Sequence, residues 1–163
     1  MMRITIPLLL ALGLAACADE PTEEERAAAV AEVEAHQTPP PEQLEPGAIR
    51  YREIEEYDLY GAGCSFAPAG GGVAAVALAM AETGHFLRDG EMQTLAADKG
   101  SAELPYLARS KYDGTAYSMT LEIEEDAGEE VAAEVSDFPA TLTISNANDQ
   151  VVYRKSGIAQ CGV

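Results

Sequence analysis

The sequence has no tryptophan, only three cysteines and two histidines, and ten Lys plus Arg against 28 Asp plus Glu. Each shortage excludes a class of chemistry. A net charge of −18 with no run of bases repels phosphate backbones, so a nucleic-acid partner is excluded. His36 and His85 lie far apart, and neither has a cysteine or second histidine at zinc-ligand spacing. Ser65, inside Gly61-Ala62-Gly63-Cys64-Ser65-Phe66, does not stand in the Gly-x-Ser-x-Gly turn that presents a hydrolase nucleophile. Gly61-Ala62-Gly63 and Gly70-Gly71-Gly72 do not open a strand-to-helix phosphate loop and are better read as turns. Acids crowd Glu122-Ile123-Glu124-Glu125-Asp126 and Glu129-Glu130, yet they lack the Asp-x-Asp-x-Asp-Gly order of a calcium loop. As paired carboxylates they are the one constellation a glycan hydrolase could use, but they sit at a strand end and an exposed turn, without the apolar pocket a general acid needs. The sequence therefore assigns no catalytic residue, no metal ligand and no cofactor.

What is present begins with an address. Arg3 is a positive start, Ile4 to Leu14 form an apolar stretch broken by Pro7 and Gly13, and Leu14-Ala15-Ala16 lead into Cys17. That stretch is shorter than the roughly 20 residues a bilayer-spanning helix needs, and reads as a cleaved leader over residues 1–16. Leu14-Ala15-Ala16-Cys17 resembles the lipobox of bacterial lipoproteins, in which the cysteine is lipidated and becomes the mature N-terminus. The resemblance implies lipidation of Cys17 and a membrane anchor facing the periplasm. Ala18 follows the cysteine, with Asp19 one place later, which by the same resemblance favours the outer membrane over the inner. Acyl chains in the plural hold a protein far more firmly than one chain would.

With Cys17 used by the anchor, Cys64 and Cys161 remain as an even pair in an oxidising compartment and are expected to form a disulfide. Residues 17–48 read as a flexible acidic tether. From 18 to 48 there are nine acids and one base, and Pro39, Pro40, Pro41 and Pro46 favour an extended spacer. Within it, Thr22 and Glu25 make a capping-box pair ahead of an Ala-rich stretch, which predicts a short helix.

Residues 49–163 carry the strand signals. Tyr117 to Ile123 alternates with period two, and Ala140–Ile144 and Val151–Lys155 flank a turn-rich segment as a hairpin would. Asp89-Gly90 between His85–Arg88 and Glu91–Leu95 predicts a two-residue hairpin turn, with the His85 ring facing solvent. Val73–Met80 reads as a strand, Tyr51–Tyr57 as one or two helical turns, and Gly157–Cys161 as the closing strand. The fold expected is mainly β: a small antiparallel barrel or sandwich of six to eight strands, closed by one disulfide.

One segment is dense in contact-prone groups. Leu104 to Tyr117 holds three of the seven tyrosines together with Arg109 and Lys111, residue types enriched at binding hot spots. Arg109, Ser110, Lys111 and Tyr112 are the candidate partner-binding residues, projecting from a loop. An acidic lipoprotein with a small β domain resembles the membrane-bound inhibitors of C-type lysozyme, whose Ser-rich loop ending in Tyr enters the enzyme's cleft. Ser110-Lys111-Tyr112 are the matching positions. The Ser-Gly pair of that loop is not present here. More broadly the chain resembles envelope lipoproteins of Gram-negative bacteria. Three functions follow as expectations: a non-catalytic partner-binding envelope protein, an inhibitor of a basic cell-wall hydrolase, and, least favoured, a carboxylate-dependent glycan hydrolase. The second draws on residues 49–163, where 19 acids face 8 bases and would steer a cationic periplasmic protein.

Overall fold

The computed structural model describes residues 22–36, 40–72 and 74–163. The leader, Cys17 and Val73 lie outside the described residues. The chain divides into two units, Met1–Pro39 and Pro40–Val163. In the first, helix α1 runs Glu23–His36. It opens on the predicted box: the Glu25 amide donates to Thr22 Oγ1 at 3.2 Å, and the Thr22 amide donates back to a Glu25 carboxylate oxygen at 2.8 Å.

The second unit is a closed barrel. After the short helix α2 (Tyr51–Glu56) come β1 (Gly63–Pro68), β2 (Ala77–Met80), β3 (Thr83–Arg88), β4 (Glu91–Ala97), β5 (Lys111–Asp113), β6 (Tyr117–Ile123), β7 (Glu129–Ala132), β8 (Val135–Asn146) and β9 (Val151–Gly162). Neighbours are all antiparallel, in the order β6-β5-β4-β3-β2-β1-β9-β8, and β8 pairs again with β6 to close an eight-stranded ring. The ring of eight lies within the six to eight strands expected, and β7 is one extra strand on β8, outside the ring. Of barrel and sandwich, the barrel is what forms.

Alternation explains the core. In β8, Phe138, Ala140, Leu142 and Ile144 are buried while the residues between them are not. Cys64 and Phe66 of β1, Ala77 and Ala79 of β2, Phe86 of β3, and Met119 and Leu121 of β6 join them in one cluster. An eight-stranded barrel is just wide enough to be filled by its own side chains. The Asp89-Gly90 turn has φ of 52° and 83°, the two left-handed positions this hairpin needs, and it sets Arg88 opposite Glu91. The disulfide forms as expected, with Cys64 directly opposite Cys161. It joins the first barrel strand to the last, at the seam where the chain closes on itself.

Three expectations need correction. The ordered unit does not begin at Ile49. Leu44 is buried and its amide donates to the Val152 carbonyl at 2.8 Å, Gly47 bridges Leu87, and Ile49 donates to Ala75 at 2.8 Å. Residues 44–48 are thus a lining of the barrel rather than tether. Prolines hid this, because an extended backbone lying along a barrel and a spacer have the same composition. A domain starting at Ile49 should therefore be less stable than one starting at Pro40 by about 2 kcal/mol, the worth of one buried leucine. Urea unfolding of the two forms measures it. His85 lies on a strand as expected, but its ring is buried: Gly84, His85, Phe86 and Leu87 are all covered, so both faces of β3 are. Its Nε2 lies 2.8 Å from Thr83 Oγ1 and its Nδ1 3.2 Å from Thr94 Oγ1, and burial lowers its pKa. Lastly, β9 is one continuous strand from Val151 to Gly162, where a hairpin arm and a separate closing strand were expected.

Candidate interaction site

The four candidate binding residues do not form one projecting loop. Tyr112 is the central residue of β5, wholly buried. Its hydroxyl donates to the Met80 carbonyl at 2.8 Å and accepts the Arg109 amide at 2.7 Å. The space for its ring comes from Gly84, where a Cβ would fall 2.6 Å from the ring. Burial pushes the phenol up to about 12. Arg109 is a clamp rather than a free cation: its guanidinium meets Glu103 at 3.1 Å and the Ser101 carbonyl at 3.5 Å, across a bridge between Glu103 and Arg109. The Ser110 amide donates to Ala102 and its carbonyl accepts from Leu121, so its backbone fastens the loop to β6. Lys111 is half exposed beside Asp113 at 3.2 Å. The correction is physical: Lys111-Tyr112-Asp113 is a polar, apolar, polar triplet, and a three-residue strand is too short to announce itself by periodicity.

The other two tyrosines of the segment go elsewhere. Tyr117 begins β6 and meets Phe86 edge-on at 5.5 Å, with Arg88 donating to its hydroxyl. Tyr106 packs against the core from a turn in which both it and Leu107 have positive φ, 58° and 65°. Leu107 is exposed at that turn, and the turn is closed on itself by the bond from the Leu104 amide to the Ala108 carbonyl.

Among the described residues no three His, Cys, Asp or Glu side chains gather as a metal site. The Ser65 hydroxyl donates to the Gln160 carbonyl at 3.4 Å.

Charge, by contrast, is sharply segregated. No charged residue occurs between Asp58 and Glu82, a stretch that includes all of β1 and β2, and β9 has none after Lys155. Because β1 lies between β2 and this half of β9, the three strands make a charge-free panel on one side of the barrel. From Glu122 to Asp137 there are eight carboxylates and no base. Seven of the eight are exposed; Asp137, half buried, accepts from the Gln160 side-chain amide at 2.9 Å.

That acidic stretch has a definite shape. β6 and β7 both pair with β8, β6 with its residues 140–146 and β7 with its residues 135–137, both antiparallel to it. They lie end to end along one edge of β8, separated by the Glu124–Gly128 excursion. β7 therefore prolongs the line of β6 past the closed ring. The sequence reading of an acidic turn missed the strand, since Glu129-Glu130-Val131-Ala132 has neither alternation nor β-branched enrichment. Comparison with protein-family models, with curated proteins and with solved structures gives no match to this chain.

Proposed function

We propose that the protein is a lipid-anchored component of a bacterial envelope, facing the periplasm, whose barrel binds a basic protein partner without catalysing a reaction. The observation carrying this reading is the filled barrel combined with segregated charge. Phe66, Phe86, Tyr112, Met119, Leu121, Leu142 and Ile144 are all essentially inaccessible inside the ring. Among the described residues these side chains fill the interior, which favours the outer surface for recognition. From Pro40 onward that surface draws on 21 acids against 8 bases. Five of those bases already pair with nearby acids, at Glu53, Asp89, Glu82, Glu103 and Asp113. A field of one sign speeds the encounter with a cationic protein and rejects anionic ones.

The anchor is tested by Cys17→Ser. The variant is expected to lose palmitate labelling and to leave the membrane fraction, while labelling that persists would overturn the lipobox reading. A basic cell-wall hydrolase is the most specific partner this charge favours. Lysozyme added to a cell suspension with the soluble barrel should clear turbidity more slowly than without it. Undiminished clearing at micromolar barrel removes the hydrolase as partner and leaves the broader reading to its own test, envelope cross-linking of the anchored protein.

A further inference from the structure

We infer that the outer edge of β7 is a docking site for an extended basic segment of a partner protein, which would add as a further strand beside β7. The inference rests on the reading above that the barrel has a basic partner, and it names where and how that partner is held.

The edge carries the site. Eight strands satisfy one another by closing into a ring, but β7 stands at the end of the strand order, with β8 on one side and, among the described residues, no strand on the other. Among the described residues, no main-chain bond outside the β7–β8 ladder involves Glu129 to Ala132. All four are exposed, so neither face nor the outer edge is covered. A strand in this position presents alternate N–H and C=O groups to whatever extended chain comes alongside, which is the backbone half of strand-addition recognition.

Charge selects the occupant. Glu129 and Glu130 lie in the strand itself, Glu134 in the turn that follows and Glu124, Glu125 and Asp126 just before it, and no ion pair among the described residues involves any of them. Open edges are commonly protected by charge, shortness and bulges, and β7 has all three, with its irregularity between Glu130 and Ala132. The charge acts against a second copy of this chain, whose β7 would bring the same carboxylates together. It favours a strand bearing Lys or Arg on alternate positions, which sets bases opposite one of the two glutamates, while shortness and the bulge hold the added ladder to a few bonds. Val131, exposed between the acids and Ala132, supplies an apolar contact for the intervening side chains. The same edge therefore excludes self-pairing and admits a basic partner.

The test uses the full chain in detergent and three synthetic octapeptides: alternating Lys-Val, alternating Glu-Val, and alternating Lys-Pro. Lys-Pro has the charge of Lys-Val but lacks half its backbone N–H groups and cannot ladder. Lys-Val is expected to bind, to slow amide exchange across residues 129–132, and to exceed both other peptides by about tenfold or more. Glu129→Lys with Glu130→Lys should reverse the preference toward Glu-Val. Equal binding of Lys-Val and Lys-Pro would reduce the contact to non-specific charge and overturn the inference, as would binding that leaves the 129–132 amides unprotected. Self-association of the free barrel through β7 would overturn the charge selection. If a basic protein cross-links to the anchored barrel while β7 amides stay unprotected, the docking site fails and the proposed function stands. If neither Lys-Val nor any basic protein binds, both fail together.

Discussion

Reducing the Cys64–Cys161 disulfide should lower the melting temperature by roughly 15 °C or more, the largest loss expected from breaking one bond in this molecule. The two cysteines are 97 residues apart in sequence, and in the chain-entropy account closing a loop of that length contributes about 4 to 5 kcal/mol. For a domain of this size about 1 kcal/mol moves the midpoint by several degrees. The position of the bond strengthens the expectation. β1 and β9 are the first and last strands of the ring, and their pairing from Gly63–Gly162 to Pro68–Gly157 is the strand pairing of greatest sequence separation in the barrel. Without the crosslink the unfolded chain must close the whole ring before that ladder forms. Cys64 and Cys161 are both buried, and Cys64→Ala with Cys161→Ala replaces the bridge by two small apolar groups. Thermal unfolding followed by circular dichroism, with and without reductant and for the double variant, measures the loss. A midpoint that stays within a few degrees in both would show that the ladder and core hold the seam alone.

How much of this was legible in the sequence depends on the range of the interaction. β6 was readable to the residue because Tyr117 to Ile123 alternates long enough to define a face, and Met119 and Leu121 do point inward. The β3–β4 turn was readable because only a few dipeptides tolerate two left-handed positions. The cysteine pair was readable because two cysteines remain once Cys17 is set aside, and an even pair is what a disulfide needs. Three features were not. Leu44 is held by a backbone bond to Val152, more than a hundred positions away in the sequence, and backbone bonds have no side-chain signature. The burial of His85 depends on β3 being covered on both sides, a tertiary fact. β7 is made of residues that solvent would otherwise keep in a turn, and becomes a strand because the first residues of β8 extend past the ring and offer it a partner. The candidate binding segment failed for a related reason. Tyr and Arg are enriched at interfaces because they bury large areas, and the same property suits a tyrosine to a core and an arginine to a loop clamp.

Tyr112 makes that distinction measurable. Tyr112→Ala should cost about 3 to 5 kcal/mol, the usual range for deleting a buried aromatic ring, because Gly84 opposite has no side chain with which to refill the space. Tyr112→Phe keeps the ring and should cost about 1 to 2 kcal/mol, for it leaves the Met80 carbonyl and the Arg109 amide without their shared partner. The hydroxyl also predicts a pH dependence of definite sign. An unfolded tyrosine loses its proton near pH 10, whereas folded Tyr112 holds its proton until about 12 because burial disfavours the phenolate. Unfolding in that window releases a proton. The associated stability, about 2 to 3 kcal/mol, is whole below pH 10 and is lost as pH rises from 10 to 12. Tyr153 is also raised by burial, so the readout is the difference between the wild type and Tyr112→Phe, whose stabilities should converge and then cross in that window, because the loss exceeds the advantage of the hydroxyl. If Tyr112→Ala instead melts close to the wild type and loses only the binding of a basic partner, then the ring leaves the barrel to make contact and its place in the core is wrong.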